Sequence, residues 1–269
     1  MAGDLQPESD TGAGLTPVQV ADARPAECKI CGGPSPLYGV VDFHKSCIEA
    51  QGKRLAISGC PVYYQRCRRC GFAFTTAFDA WDFAAYRRYI YNGDYLVVDP
   101  DYTELRPAGN AKLIAGTFGD FKASMRILDY GGGEGLLAAR LREEGFSAAT
   151  YDPFSSFDKM PEEKFDLVTC FEVMEHVPLP KATAAVMAGL LKPQGIVLFS
   201  TLVQPATFDQ IGLNWWYASP RNGHISLYSK QALTLLFQAH GMTVCSFTDV
   251  LHLAFAEIPP FAAHLKLPA

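Results

Sequence analysis

The chain has 269 residues and a formal net charge of -5 at pH 7, enough for one large α/β domain and a smaller module but not for two large catalytic domains. A hydrophobic fraction of 49% with 12% aromatics supports a packed core, and the negative balance excludes a protein that coats polyanions with its whole surface. No apolar run approaches the roughly 18 residues of a membrane span, and the start MAGDLQPESDTGAGL lacks the basic and apolar regions of an export signal, so the expectation is a soluble, cytoplasmic protein without a membrane partner.

Residues 1–24 are rich in Gly, Pro, Ala, Asp and Thr without periodicity, the composition of a mobile tail. Residues 25–77 hold the cysteines and short β-prone pieces, Tyr38 to Phe43 and Pro61 to Gln65. Residues 78–121 read as a helical connector, with helical spacing in WDFAAYRRYIY and NAKLIAGTFGDF around the turn-forming VVDPDYTELRPAG. From 122 to 269 strands and helices alternate: RILDY, then GLLAARLREEGF, SAATYD, FDLVTCFE, KATAAVMAGLLK and GIVLFSTLV. Such alternation predicts a parallel sheet with helices on both faces. A last helix, SKQALTLLFQAHG, precedes GMTVCSFTDVLHLAFAEI, whose length suits an antiparallel strand pair.

Six of the eight cysteines lie between Cys28 and Cys70, and without an export signal such a cluster suits a metal better than disulfides. Cys28-Lys-Ile-Cys31 and Cys67-Arg-Arg-Cys70 form two C-x-x-C knuckles whose four thiolates can reach one tetrahedral zinc. Four thiolates leave no open position, so that zinc is structural. His44, Cys47 and Cys60 lie between the knuckles, and Cys47 is the strongest alternative ligand. Cys170 and Cys245 sit in apolar runs and read as core. In this module Lys29, Lys45, Lys53, Arg54, Arg66, Arg68 and Arg69 outnumber Asp42 and Glu49. That surplus suits an anionic acceptor such as a nucleotide-linked sugar, with nucleic acid as the alternative.

In ILDYGGGEG a β-prone run reaches Asp129, and Gly131, Gly133 and Gly135 alternate before a helix begins. Side chains at these positions would keep a ligand off the backbone, and the turn must aim amide groups and the helix N-terminus at an anionic group. The GxGxG spacing differs from the GxGxxG of nicotinamide-binding loops. Asp152, 17 positions after Gly135 at the end of the next strand, is placed to accept both hydroxyls of a ribose.

Taken in order, ILDYGGGEG, YDPF, FDLVTCFEVMEHV and LLKPQGIVLFST resemble the motif series of class I S-adenosylmethionine-dependent methyltransferases. The resemblance implies an α/β fold with a Rossmann-like sheet, preceded here by the small zinc ribbon and the helical connector. It implies further that Asp129, Gly131 and Gly133 line the methionine part of the cofactor, with Gly135 also in the cofactor-binding loop, that Asp152 binds its ribose and that Phe171 lies beside it. The sequence departs in one respect: only 13 residues run from Pro153 to Phe165, where the strand FDLVTCFE begins, so the usual intervening helix and strand are truncated or absent.

FEVMEHV gathers Glu172, Glu175 and His176 at a strand's carboxyl end, where open α/β sheets bind ligands. With a helical turn starting at Glu172, Glu175 and His176 share its face and can hold a divalent metal, Mg²⁺ or Mn²⁺. The pattern resembles ubiquinone-biosynthesis O-methyltransferases and small-RNA 2′-O-methyltransferases, in which E-x-x-E-H, joined in the latter by a later His, binds a metal. In the competing reading Glu172 organises the cofactor loop and Glu175 and His176 form an N-terminal helix pair. His224, in NWWYASPRNGHISLYS, resembles the histidine that serves near the acceptor in sugar C-methyltransferases carrying an N-terminal zinc module, where it is a general base. Trp215, Trp216 and Tyr217 read most simply as lid packing, or else as a stacking surface for a sugar or planar acceptor. The catalytic candidates are thus His224, Glu172, Glu175 and His176, acting on oxygen or carbon of a small-molecule acceptor.

Overall fold

The structure is a computed structural model that describes residues 25–267; the proposed tail, 1–24, lies outside them. Strands β1 (Ala26–Glu27) and β2 (Pro34–Ser35) form the hairpin of the first knuckle, and β3 (Leu37–Asp42), β4 (Pro61–Arg66) and β5 (Ala73–Phe74) form an antiparallel meander. The connector contains α1 (Phe83–Tyr89), capped by the Asp82 carboxylate on the Ala85 amide, α2 (Tyr95–Val98) and α3 (Leu105–Phe118). The segment TELRPAG, expected as a turn, instead supplies the first residues of α3. Pro107 is tolerated there because an amide in the first turn of a helix has no intrahelical acceptor to lose.

The large sheet follows as β6 (Arg126–Tyr130), α4 (Leu136–Glu143), β7 (Ser147–Tyr151), β8 (Phe165–Phe171), α5 (Pro180–Leu190) and β9 (Leu191–Ser200). After α6 (Phe208–Ile211) and β10 (Ser226–Leu227), helix α7 (Lys230–Gln238) leads to the closing pair β11 (Thr243–Ser246) and β12 (Leu251–Phe255). The strand order is β11-β12-β9-β8-β6-β7. β7, β6, β8 and β9 are parallel, and β12 is antiparallel to both of its neighbours, β9 and β11. Residues 152–164 contain neither helix nor strand, as the short Pro153–Phe165 spacing implied. The chain therefore returns directly from the edge strand β7 to β8 on the other side of β6, and this reversal of direction opens a crevice at the carboxyl ends.

β10 does not join the large sheet. Ser226 and Leu227 pair with Phe74 and Ala73 of β5, so the cysteine module's sheet is completed by residues more than 150 positions further along the chain. Phe72, Phe74 and Tyr228 pack there with the knuckle cysteines in one buried cluster with Val168, Val197 and Phe199 of the large sheet. Full burial of side chains of this size contributes roughly 1.5–3 kcal/mol each. The module is thus fused to the sheet by a shared core. A second, aromatic cluster, including Tyr64, Phe78, Tyr86, Tyr95, Trp215 and Tyr217, joins the module, the connector and the segment 208–227.

Candidate active site

β6 ends in the glycine loop. Gly131 (φ +75°), Gly133 (φ +54°) and Gly135 (φ +75°) are all left-handed, a conformation that costs an L-residue about 1–2 kcal/mol. A Cβ on Gly131 would collide with the Val173 side chain, whereas one on Gly133 would meet nothing within 4 Å. Gly131 is therefore required by the fold, while Gly133 faces space that a ligand can fill. The Gly133 amide donates to Asp152 Oδ2 at 2.8 Å and the Phe154 amide to Oδ1 at 2.7 Å. Asp152 thus braces the loop, and each of its oxygens retains a lone pair for a ligand. Asp129 lies buried beneath the loop, against Gly132, and accepts a bond from the Thr169 hydroxyl at 3.0 Å. Burial pushes its carboxyl up to about 7. Phe171 ends β8, half-buried and paired in register with Ser200.

The acid and histidine residues follow directly. Glu172 is not the start of a helical turn: it takes the left-handed conformation (φ +54°), and the short 3₁₀ turn is Met174–His176. Its amide donates to Ser200 Oγ at 2.8 Å, and that hydroxyl donates to Glu172 Oε1 at 2.6 Å. Backbone strain and this reciprocal pair turn Glu172 aside from the face that Glu175 and His176 share. Burial and the neighbouring Glu175 push its carboxyl up to about 7.

Glu175, His176 and His224 converge, with one donor atom from each lying within 4.8 Å of the others. Glu175 is fully buried; Oε1 accepts from the Tyr217 hydroxyl at 2.6 Å, and Oε2 has no hydrogen-bond partner. His176 Nδ1 is likewise buried and unpartnered. The His224 ring lies edge-on to His176, centroids 5.0 Å apart, and its Nδ1 is 2.9 Å from the Tyr217 carbonyl oxygen. Burial lowers both histidines, His176 to about 4, so both are neutral near pH 7. His252 offers a contrast, being a buried histidine with both ring nitrogens engaged, by Ser246 and Thr201, and it serves the fold. Unpartnered buried donors and acceptors are costly, and Glu175 Oε2 with His176 Nδ1 is the donor set a hard or borderline divalent cation would satisfy.

The connector roofs this site. Tyr91 packs near His176 and against Tyr95 and Phe154, and the Asp99 carboxylate takes two bonds from Arg106, at 2.6 and 2.8 Å. Gly223 (φ +85°) presses on His176, since a Cβ there would lie 2.9 Å from Nδ1. Ser200 and Arg106 were not singled out from the sequence, and Tyr217 was read there as lid packing or a stacking surface rather than as a hydrogen-bonding group. A tyrosine in a run of aromatics signals packing, and only the fold shows that its hydroxyl reaches Glu175.

In the module, Cys28, Cys31, Cys67 and Cys70 bring their sulfurs within 4.8 Å of one another. The Ile30 amide points at Cys28 Sγ and the Arg69 amide at Cys67 Sγ, at 3.4 and 3.3 Å, an arrangement that offsets thiolate charge. Cys47 is no part of this cluster. It lies 3.7 Å from His224 Nδ1, and burial pushes its thiol up to about 12. Cys60 is also apart from the cluster, and His44 Nδ1 bonds the Ala56 carbonyl. Of the basic residues, Lys29, Lys45 and Arg66 are engaged with Asp79, Glu49 and Asp209. No helix among the described residues is long and apolar enough to cross a membrane.

A switch-point crevice with a left-handed glycine loop, and an acid and histidine set on the next central strand, place this fold with the class I S-adenosylmethionine-dependent methyltransferases. Residues 102–246, just over half of the chain, match the family described as methyltransferase domain, and the chain belongs to it. It is 35% identical over 105 residues to a ubiquinone biosynthesis O-methyltransferase of Aromatoleum aromaticum, a stretch covering 30% of this chain and 45% of that protein. The corresponding enzyme of Methylococcus capsulatus is 44% identical over 71 residues, 25% of this chain and 29% of that one. The chain thus spans less than half the length of these curated relatives. Among solved structures, CalO1, a methyltransferase in calicheamicin biosynthesis, covers 61% of this chain and 60% of its own at 17% identity and a TM-score of 0.41. The magnesium protoporphyrin IX methyltransferase of Synechocystis, with SAH bound, covers 67% and 96% at 14% identity and a TM-score of 0.41.

Proposed function

We propose that the protein transfers the methyl group of S-adenosylmethionine to an oxygen of a small-molecule acceptor, with Glu175, His176 and His224 holding Mg²⁺ or Mn²⁺ beside the donor. The observation that carries this reading is the convergence of one carboxylate and two imidazoles, with unpartnered buried atoms on Glu175 and His176, in contact with the glycine loop through Val173. The cofactor supplies an electrophilic methyl on a sulfonium, and the metal supplies Lewis acidity that lowers the pKa of the acceptor hydroxyl. The chain's own part is to orient and to exclude water. Gly131, Gly133 and Gly135 admit the cofactor backbone-close, Asp152 addresses the ribose, and Asp129 and Phe171 shape the floor and edge of its site. Tyr91 and Tyr95 close the acceptor side. Oxygen as the acceptor atom is supported by the names of the curated relatives, which are O-methyltransferases.

A second reading keeps the site and dispenses with the metal: His224, neutral and with Nδ1 bonded to a carbonyl, presents Nε2 as a general base toward a sugar or nucleotide-linked sugar. One experiment separates the two. Methyl transfer from labelled S-adenosylmethionine is measured on a phenol and on a nucleotide-linked sugar, before and after chelation, with Mg²⁺ or Mn²⁺ added back. Loss on chelation with recovery on add-back is expected, and full activity of the chelated enzyme excludes the metal reading. Cys28, Cys31, Cys67 and Cys70 fit one structural Zn²⁺, and its role is to hold the module on which the His224 segment rests. Lys45 Nζ donates to the Trp215 carbonyl and the Tyr64 hydroxyl to that of His224, while the Cys47 amide donates to Asn222 Oδ1.

A further inference from the structure

Three donors from separate parts of the chain must be held in one geometry if they are to bind a cation. Glu175 and His176 are neighbours on a single 3₁₀ turn, but His224 arrives from a segment 48 residues later. One residue contacts both sides. The Tyr217 ring lies tilted against the His224 ring, centroids 4.2 Å apart, and is flanked by Trp215 and Trp216. Its hydroxyl is 2.6 Å from Glu175 Oε1 and its carbonyl oxygen 2.9 Å from His224 Nδ1.

The bonds at Tyr217 run in a chain. Its hydroxyl accepts from the Leu202 amide at 3.2 Å and donates to Glu175 Oε1. A carbonyl oxygen can only accept, so the 2.9 Å contact puts the proton on His224 Nδ1 and the lone pair on Nε2, with the Cys47 sulfur, 3.7 Å from the same nitrogen, as a weak second acceptor. Glu175 is left with Oε2 as its uncommitted oxygen.

We infer that Tyr217 is the positioning residue of the metal site, its side chain selecting the Glu175 oxygen and its main chain selecting the His224 nitrogen that face the cation. The inference rests on the metal reading above and goes beyond it, since it assigns a function to a residue outside the ligand set itself. Groups that hydrogen-bond a metal ligand fix its orientation and basicity, and their loss typically weakens metal affinity by about 10- to 100-fold. Tyr217 is unusual in serving two ligands at once, which couples the position of the His224 segment to that of the β8 turn.

The test uses the intact protein and Mn²⁺ alone, with affinity measured by the loss of free-ion paramagnetic resonance signal. Tyr217→Phe removes one hydroxyl and leaves ring and carbonyl in place. The expected result is Mn²⁺ affinity lower by about 10- to 100-fold, affinity for S-adenosylhomocysteine unchanged, and turnover restored by raising Mn²⁺. Mn²⁺ affinity within twofold of wild type overturns the role of the hydroxyl. If wild type itself binds no Mn²⁺, and Glu175→Gln changes nothing, the metal reading falls and this inference with it. The main-chain half is tested without any variant or metal: in protein with ¹⁵N-labelled histidine, His224 is expected as the neutral tautomer protonated at Nδ1. An Nε2-protonated ring overturns it.

Discussion

The two alanine substitutions in the glycine loop separate folding from cofactor binding. At Gly133 a Cβ meets no atom within 4 Å, so Gly133→Ala incurs only the left-handed strain, about 1–2 kcal/mol. At Gly131 the same strain adds to a collision with Val173, for which overpacking costs of about 1–3 kcal/mol are typical. With a melting shift of about 2–4 °C per kcal/mol for a chain of this size, Gly133→Ala is expected to melt roughly 2–8 °C below wild type and Gly131→Ala distinctly lower. Binding should rank in the opposite way to this mild thermal effect. The methyl group that Gly133→Ala introduces would occupy the space in which a ligand approaches the backbone, so affinity for S-adenosylhomocysteine, measured by calorimetry, should fall by roughly tenfold or more, ~1.4 kcal/mol. Wild-type affinity in a folded Gly133→Ala protein would falsify the placement of the cofactor on this loop. Equal melting temperatures for the two variants would refute the role given to Val173.

Asp129 predicts a pH dependence. Its carboxyl, raised from 3.8 to about 7 by burial, keeps its proton in the native state where the unfolded chain has lost it. Stability from this group therefore falls as pH rises from about 4 to about 7, by up to roughly 4 kcal/mol at 1.36 kcal/mol per unit. Asp129→Asn should remove that slope, so urea melts of the unliganded proteins should diverge between pH 5 and pH 8, and parallel curves would refute the buried carboxyl. Tyr64→Phe deletes the 2.7 Å bond to the His224 carbonyl; a loss of about 1–3 kcal/mol is expected, together with weaker Mn²⁺ binding and unchanged S-adenosylhomocysteine affinity, and a simultaneous loss of both would count against a local effect. Metal analysis should find about one zinc per chain, reduced to near zero in Cys31→Ser, whereas Cys47→Ser should retain it. Zinc retained by Cys31→Ser would exclude the four-cysteine site.

Much of the glycine-loop side of the site was legible in the sequence, because local chemistry dictates it. ILDYGGGEG reads as strand, turn and helix from its residues alone, and the left-handed glycines follow from what a Cβ would do there. C-x-x-C pairs are likewise local devices, since two residues of spacing set the sulfur positions of each knuckle. The short Pro153–Phe165 link left no room for another helix and strand, and none is present. Long-range contacts overrode local pattern elsewhere. TELRPAG carries turn residues, yet packing of Ala111, Ile114 and Phe118 draws the start of α3 back to Leu105. Glu172 shares helical spacing with Glu175 and His176, but Ser200 on the adjacent strand captures it.

By itself, then, the sequence determined the alternating α/β core, the glycine loop and the cysteine knuckles, because each depends on residues within a turn or a strand of one another. Tertiary structure alone decided that Cys47 faces His224 rather than the four-cysteine cluster and that β10 completes the module's sheet. It also decided that Glu175, His176, Tyr217 and His224 meet. Those pairings join segments dozens to more than a hundred residues apart, and nothing in the spacing of a chain specifies which distant side chains the packing of its core will bring within hydrogen-bonding distance.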